Sequence, residues 1–175
     1  AYANSDGEGG GLLASSTNVP NASGSSDVTV LIDQVQWLPN SQSVAFSSYV
    51  LNKTGPGAAP QSDLWLVSVG GSLQERFAAG DGGHQFNISP DGARIIFSLP
   101  ESIVQANLDG SDRQTVLNFG FVNTASEYAY VPLVQWLANG STAVTAVSSP
   151  DPWQPSANAS LYRIQNSNAF VNGNV

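Results

Sequence analysis

The chain has 175 residues, enough for one domain with a sizeable core, and a formal net charge of −8 from five Lys plus Arg against thirteen Asp plus Glu. Phosphate binding needs clustered cations, and Lys53, Arg76, Arg94, Arg113 and Arg163 are scattered, so nucleic acid and anionic membrane surfaces are disfavoured as partners. With no Cys there is no disulfide, thiolate metal site or thiol nucleophile, and no run of about 18 apolar residues spans a membrane.

Residues 1–26 are mainly Gly, Ser, Asn and Ala, the composition of a flexible arm. Ala1-Tyr2-Ala3 has the small-x-small form of a signal-cleavage site, and the lack of Cys fits an exported bacterial protein. The chain is read as a processed or truncated product. So polar an arm is expected to be held by another chain, or by another part of a larger assembly, rather than by a core of its own.

Three segments then repeat. VQWLPNSQSVAFS (35–47), FNISPDGARIIFS (86–98) and VQWLANGSTAVTA (134–146) align without gaps, starting at Val35, Phe86 and Val134, 51 and 48 residues apart. Pro39-Asn40-Ser41, Pro90-Asp91-Gly92 and Ala138-Asn139-Gly140 are expected turns. Val44-Ala45-Phe46, Ile95-Ile96-Phe97 and Val144-Thr145-Ala146 are the expected return strands. Each repeat adds a second hairpin: DLWLVSVGGSLQERF (63–77), SIVQANLDGSDRQTVL (102–117) and SLYRIQNSNAFV (160–171). No apolar period near 3.6 stands out. The fold class is therefore all-β: a partial β-propeller of about three four-stranded antiparallel blades, since a period of about 40–50 residues with short strands marks propeller blades. The organisation expected is an arm at 1–26 and blades near 27–80, 81–130 and 131–175.

Ser89-Pro90-Asp91-Gly92-Ala93-Arg94-Ile95-Ile96-Phe97, followed by Ile103 to Gly110, resembles the TolB-like, WD40-like Pro-Asp repeat of bacterial β-propellers. The outer repeats depart from it, with Pro-Asn-Ser and Ala-Asn-Gly in place of Pro-Asp-Gly. The resemblance covers roughly residues 28–171 and implies a propeller of about six to eight blades used mainly for protein contacts; it carries over no catalytic residue. Three blades do not close a ring and would leave two apolar faces open. The chain is accordingly expected to be a fragment of a longer polypeptide, or to meet its missing blades on another chain.

Trp37, Ile88 and Trp136 occupy one repeat position and are expected to pack between blades; Pro90, Asp91 and Gly92 shape the turn, with Asp91 bonded to its own backbone. His84, the one histidine, is expected to make a structural hydrogen bond at a turn. The long segments 49–62, 118–132 and 148–160 are expected at the blade end opposite the short turns, where insertions often mark a binding face. Their aromatics supply the candidate partner-binding residues Trp153, Tyr49, Tyr128 and Tyr130, with Phe119 and Phe121 as further aromatics that could equally cover the core edge. Sequons begin at Asn21, Asn52, Asn87, Asn139 and Asn158 and are read mostly as chance.

No nucleophile elbow, phosphate-binding Gly-rich loop, dinucleotide fingerprint or zinc-protease motif occurs in the sequence. No catalytic residue, cofactor or metal is expected. The reading is a non-catalytic binding or scaffold module of an exported or cell-surface bacterial protein, whose partner is a protein or the remaining blades of the same propeller. The alternatives are the propeller portion of a larger, peptidase-type enzyme, or a structural subunit of a surface filament or layer.

Overall fold

The computed structural model describes residues 9–14, 19, 28–52, 63–77, 85–126 and 129–174. They fall in two compact units, Ala1–Asp81 and Gly82–Val175. His84 and Tyr128 lie outside the described residues.

The first unit holds one sheet of β1 (Val28–Trp37), β2 (Ser43–Asn52), β3 (Asp63–Ser68) and β4 (Leu73–Phe77), in the order β1-β2-β3-β4. Alternating apolar residues and a tight turn make its first hairpin, in which Val35 pairs with Phe46 and Trp37 with Val44. At that turn the Leu38 N–H donates to Ser43 O at 2.9 Å, and Asn40 Oδ1 accepts the Gln42 N–H at 2.9 Å. Ser41 takes a φ of 55°, in the left-handed region. Between Ile32 and Val35 the register shifts, as an extra residue in one strand produces. Trp65 is buried opposite Phe46, its indole N–H donating to Ser48 Oγ at 2.9 Å.

The described part of the N-terminal arm packs on this sheet. Val19 is buried with Val30, Val44, Phe46, Trp65 and Val67, and Leu13 and Ala14 pack beside them. These described residues of the arm are held by the chain's own first sheet. Leu13, Ala14 and Val19 sit over an apolar sheet face and gain from leaving water there, whereas Leu12 stays 68% exposed.

The second unit holds two sheets. β5 (Phe86–Ile88), β6 (Arg94–Leu99), β7 (Ser102–Asn107) and β8 (Gln114–Asn118) form the second sheet. β9 (Val134–Trp136), β10 (Thr142–Ser148), β11 (Ala159–Gln165) and β12 (Asn168–Asn174) form the third. Each is a meander in chain order, so every strand is joined to its neighbour by a hairpin. The four central residues of β6 and of β7 are all buried, as in a sheet covered on both faces.

Pairing fixes the repeat register. Trp37 opposes Val44, Ile88 opposes Ile95 and Trp136 opposes Ala143. The third return strand is therefore Ala143-Val144-Thr145, one residue earlier than the expected Val144-Thr145-Ala146. The small Ala143 stands where Val44 and Ile95 stand, opposite the large Trp136, so its position is masked in a search for bulky residues.

Within the second unit the two sheets share one core. Ile96, Ile103 and Val116 pack on Val134, Trp136, Ala143 and Ile164. Burying these side chains supplies the main driving force, about 1.5–3 kcal/mol for each large aliphatic side chain fully removed from water. Polar ties set the register between the sheets. Asn87 Oδ1 accepts the Trp136 N–H at 2.8 Å, and Ser98 Oγ donates to Pro132 O at 2.6 Å. Ser167 Oγ accepts from Gln105 Nε2 at 3.3 Å and Gln114 Nε2 at 2.9 Å.

Trp37 departs from its repeat equivalents. Ile88 and Trp136 are 3% and 5% exposed, whereas Trp37 is 46% exposed. It lines a small cavity of about 70 Å³ with Leu13, Ala14, Ile32, Val35, Val44, Phe46 and Val67. The segment against it is short and fits loosely, whereas Trp136 meets a whole sheet.

Candidate interaction site

Short turns gather at one end of the second sheet. Around Pro90-Asp91-Gly92 the Asp91 carboxylate accepts the Ser89 hydroxyl at 2.5 Å and the Ala93 N–H at 3.0 Å. Ser89 Oγ in turn accepts the Arg94 N–H at 2.9 Å. These bonds favour the ionised carboxylate, the Ser89 hydroxyl most, and hold Asp91 below the ordinary aspartate value of 3.8. Gly92 closes the turn at a φ of 73°, a conformation a Cβ would oppose. The second hairpin turn lies alongside, because the Leu108 N–H donates to Ala93 O at 2.9 Å.

Arg94 reaches from this turn to the next sheet. Its guanidinium stands 4.6 Å from the Trp136 ring centroid and donates to Gly140 O at 2.6 Å. Pro90, Asp91, Arg94, Ala138, Asn139, Gly140 and Ser141 line an open groove between the two turns. Its polar groups are engaged in holding the turns: Asn139 Oδ1 accepts the N–H groups of Ser141 and Thr142, both at 3.1 Å. Asp109 likewise accepts both the N–H and the hydroxyl of Ser111, at 2.9 and 2.6 Å. Among the described residues no group of three or more His, Cys, Asp or Glu is placed to hold a metal ion.

The long segments meet at the other end of the strands. The Asn123 N–H donates to Pro150 O at 2.8 Å, joining the segment after β8 to the segment after β10. The Trp153 indole N–H donates to Asn123 O at 3.1 Å, and its backbone N–H to Asp151 Oδ1 at 3.3 Å. Gln154 Nε2 donates to the other Asp151 oxygen at 2.8 Å. The Trp153 side chain is thus tethered at its polar edge, yet 66% exposed. Phe121, two residues from Asn123, is 69% exposed. An aromatic held in place while its face stays in water has already lost much of the side-chain entropy that binding would cost.

The other candidates divide. Tyr130 is half-buried, its ring edge-on to Phe119 with centroids 6.1 Å apart, and its hydroxyl accepts the Ser148 N–H at 3.1 Å. Phe119 packs against the shared core of the second unit. Tyr49 lies in β2 opposite Leu31 rather than in a loop, because that strand runs on to Asn52. The residues not singled out from sequence are Asn87, Asn123 and Arg94, which tie sheet to sheet and loop to loop. A polar side chain at a strand start is ordinary, so only the partner across the interface shows what Asn87 does.

No protein-family model matches this chain, and no curated protein does either. Solved structures do. TolB from Acinetobacter baumannii is similar over 81% of this chain and 31% of its own, with a TM-score of 0.52 and 16% identity. Pyrococcus horikoshii acylaminoacyl peptidase is similar over 83% of this chain and 25% of its own, with a TM-score of 0.59 and 12% identity. A luciferin-regenerating enzyme is similar over 85% of this chain and 46% of its own, with a TM-score of 0.55 and 11% identity. The fold is that of a partial TolB-like β-propeller. The chain spans less than half the length of each of these structures. No helix among the described residues is long and apolar enough to cross a membrane.

Proposed function

We propose that the chain is a non-catalytic propeller module, exported or at the cell surface, that takes a protein partner at the long-loop end of its second unit. Trp153 and Phe121 are the anchors, with the 119–126 and 149–158 segments as their frame. The observation that carries this reading is the Trp153 indole, tethered to Asn123 O and 66% exposed. Buried interface centres are enriched in such aromatics. The likeness to TolB and the absence of Cys support an exported role.

The test is selection of displayed peptides on the immobilised native chain, followed by measurement of the selected clones on variants. Clones should lose at least tenfold in affinity on Trp153→Ala and on Phe121→Ala, while both variants melt as the native chain does. Clones that bind both variants as tightly as the native chain would overturn the reading.

The likeness to the acylaminoacyl peptidase favours a second reading, the propeller portion of a larger peptidase-type enzyme. A catalytic domain found joined to this chain in its full-length gene would support that reading over the first.

A further inference from the structure

The long-loop end of the second unit turns many of its hydrogen-bond donors inward. The Trp153 indole N–H goes to Asn123 O, and the backbone N–H groups of Asn123, Ala125 and Trp153 go to Pro150 O, Asn123 Oδ1 and Asp151 Oδ1. The Gln154 side-chain amide donates to Asp151 Oδ2, and the Ala157 N–H to Gln154 O. Acceptors are what such a frame keeps for a partner, because a carbonyl or carboxylate oxygen that takes one bond has a lone pair to spare. Trp153, its one donor engaged, offers its ring, 66% exposed, and the face of that ring is the negative end of its quadrupole.

The charges at this end share one sign. No Lys or Arg occurs between Arg113 and Arg163, a stretch that includes both long segments, whereas Asp151 stands inside one of them. Glu101 is brought to the same end, because its carbonyl accepts the N–H groups of Phe119 and Gly120 at 2.9 and 3.2 Å; the residue is exposed. The arginines of the second unit are each set against another ring. Arg94 lies 4.6 Å from the Trp136 centroid, Arg113 5.5 Å from that of Phe97 and Arg163 5.8 Å from that of Phe170. The long segments supply no such cation to Trp153.

We propose that the long-loop end takes a basic, arginine-bearing peptide segment of its partner, with a guanidinium stacked on Trp153 and donating to Asp151. A guanidinium is planar and weakly hydrated, so its face covers a ring while its edge donates. An acidic segment would meet like charge there, and the net charge of −8 draws a basic one from a distance. The site lies at the strand ends, where the segments after β8 and β10 meet, and not on an outer sheet face. The proposal rests on the long-loop end being the contact surface and adds the chemistry of what binds it.

The test takes peptide clones selected by display on the native 175-residue chain, and their synthetic counterparts with citrulline, neutral and nearly isosteric, at each Arg. Clones that depend on Trp153 should be rich in Arg, and exchange for citrulline should weaken binding about tenfold. Raising the salt from about 0.05 to 0.5 M should weaken the Arg peptides as well. Asp151→Asn keeps an acceptor oxygen but loses the charge; it should weaken Arg peptides several-fold and citrulline peptides hardly at all. Trp153-dependent clones that lack Arg, or that bind as tightly with citrulline, would overturn the proposal while leaving the long-loop end as the contact surface. A selection that returns no Trp153-dependent clone overturns both together. Equal losses for Arg and citrulline peptides on Asp151→Asn would overturn the charge pairing, Asp151 then serving only to hold its loop.

Discussion

The Arg94 guanidinium lies 4.6 Å from the Trp136 ring centroid and donates to Gly140 O, so one side chain grips both a ring and a turn of the neighbouring sheet. A planar fork does both at once; an ammonium on a flexible stem does not. Arg94→Ala should destabilise the chain by about 1–2 kcal/mol, and Arg94→Lys should recover less than half of that, read by urea denaturation.

Trp136 and Trp37 share a repeat position but not an environment. Trp136→Ala should cost about 3–5 kcal/mol, as buried aromatic truncations do. Trp37→Ala, at a residue 46% exposed, should cost less than half as much. Among the described residues the buried Trp136 Nε1 has no hydrogen-bond partner, so Trp136→Phe forfeits volume but no such bond and should fall well below Trp136→Ala. Equal losses at Trp37 and Trp136 would show that the first sheet is covered as fully as the third.

Asp91 gives a pH dependence whose sign follows from its depressed value. The carboxylate accepts the Ser89 and Ala93 groups only when ionised at full strength. Its contribution is complete above 3.8, the unperturbed value, and is lost as pH falls below that through the lower folded-state value. The stability gap between the native chain and Asp91→Asn should therefore be constant near neutrality and shrink under acid. Because Asp91 is exposed, the gap is small at every pH. A gap that grows on acidification would refute this account.

Trp153→Ala should leave the melting midpoint nearly unchanged, within about 0.5 kcal/mol, because the side chain is exposed and its one indole bond faces water. A loss comparable to that of Trp136→Ala would make Trp153 part of the packing rather than of a contact surface.

The repeat, its turns and the four-strand unit were legible in the sequence because they are local. Period-two alternation and residues such as Pro90-Asp91-Gly92 act within a few positions of the chain. The Asn166-Ser167 turn is local too: both residues take positive φ, as a tight two-residue hairpin requires. What the sequence could not state is what lies across each face. Trp37 and Trp136 read alike in VQWL, yet one stands over a short segment and the other against a sheet. Asn87 and Asn123 read as ordinary polar residues, and become ties only when Trp136 and Trp153 arrive from 49 and 30 residues away. Strand and turn preferences are settled by neighbours along the chain. Burial and long-range hydrogen bonding are settled by whichever surface the fold brings opposite, and that only the tertiary structure decides.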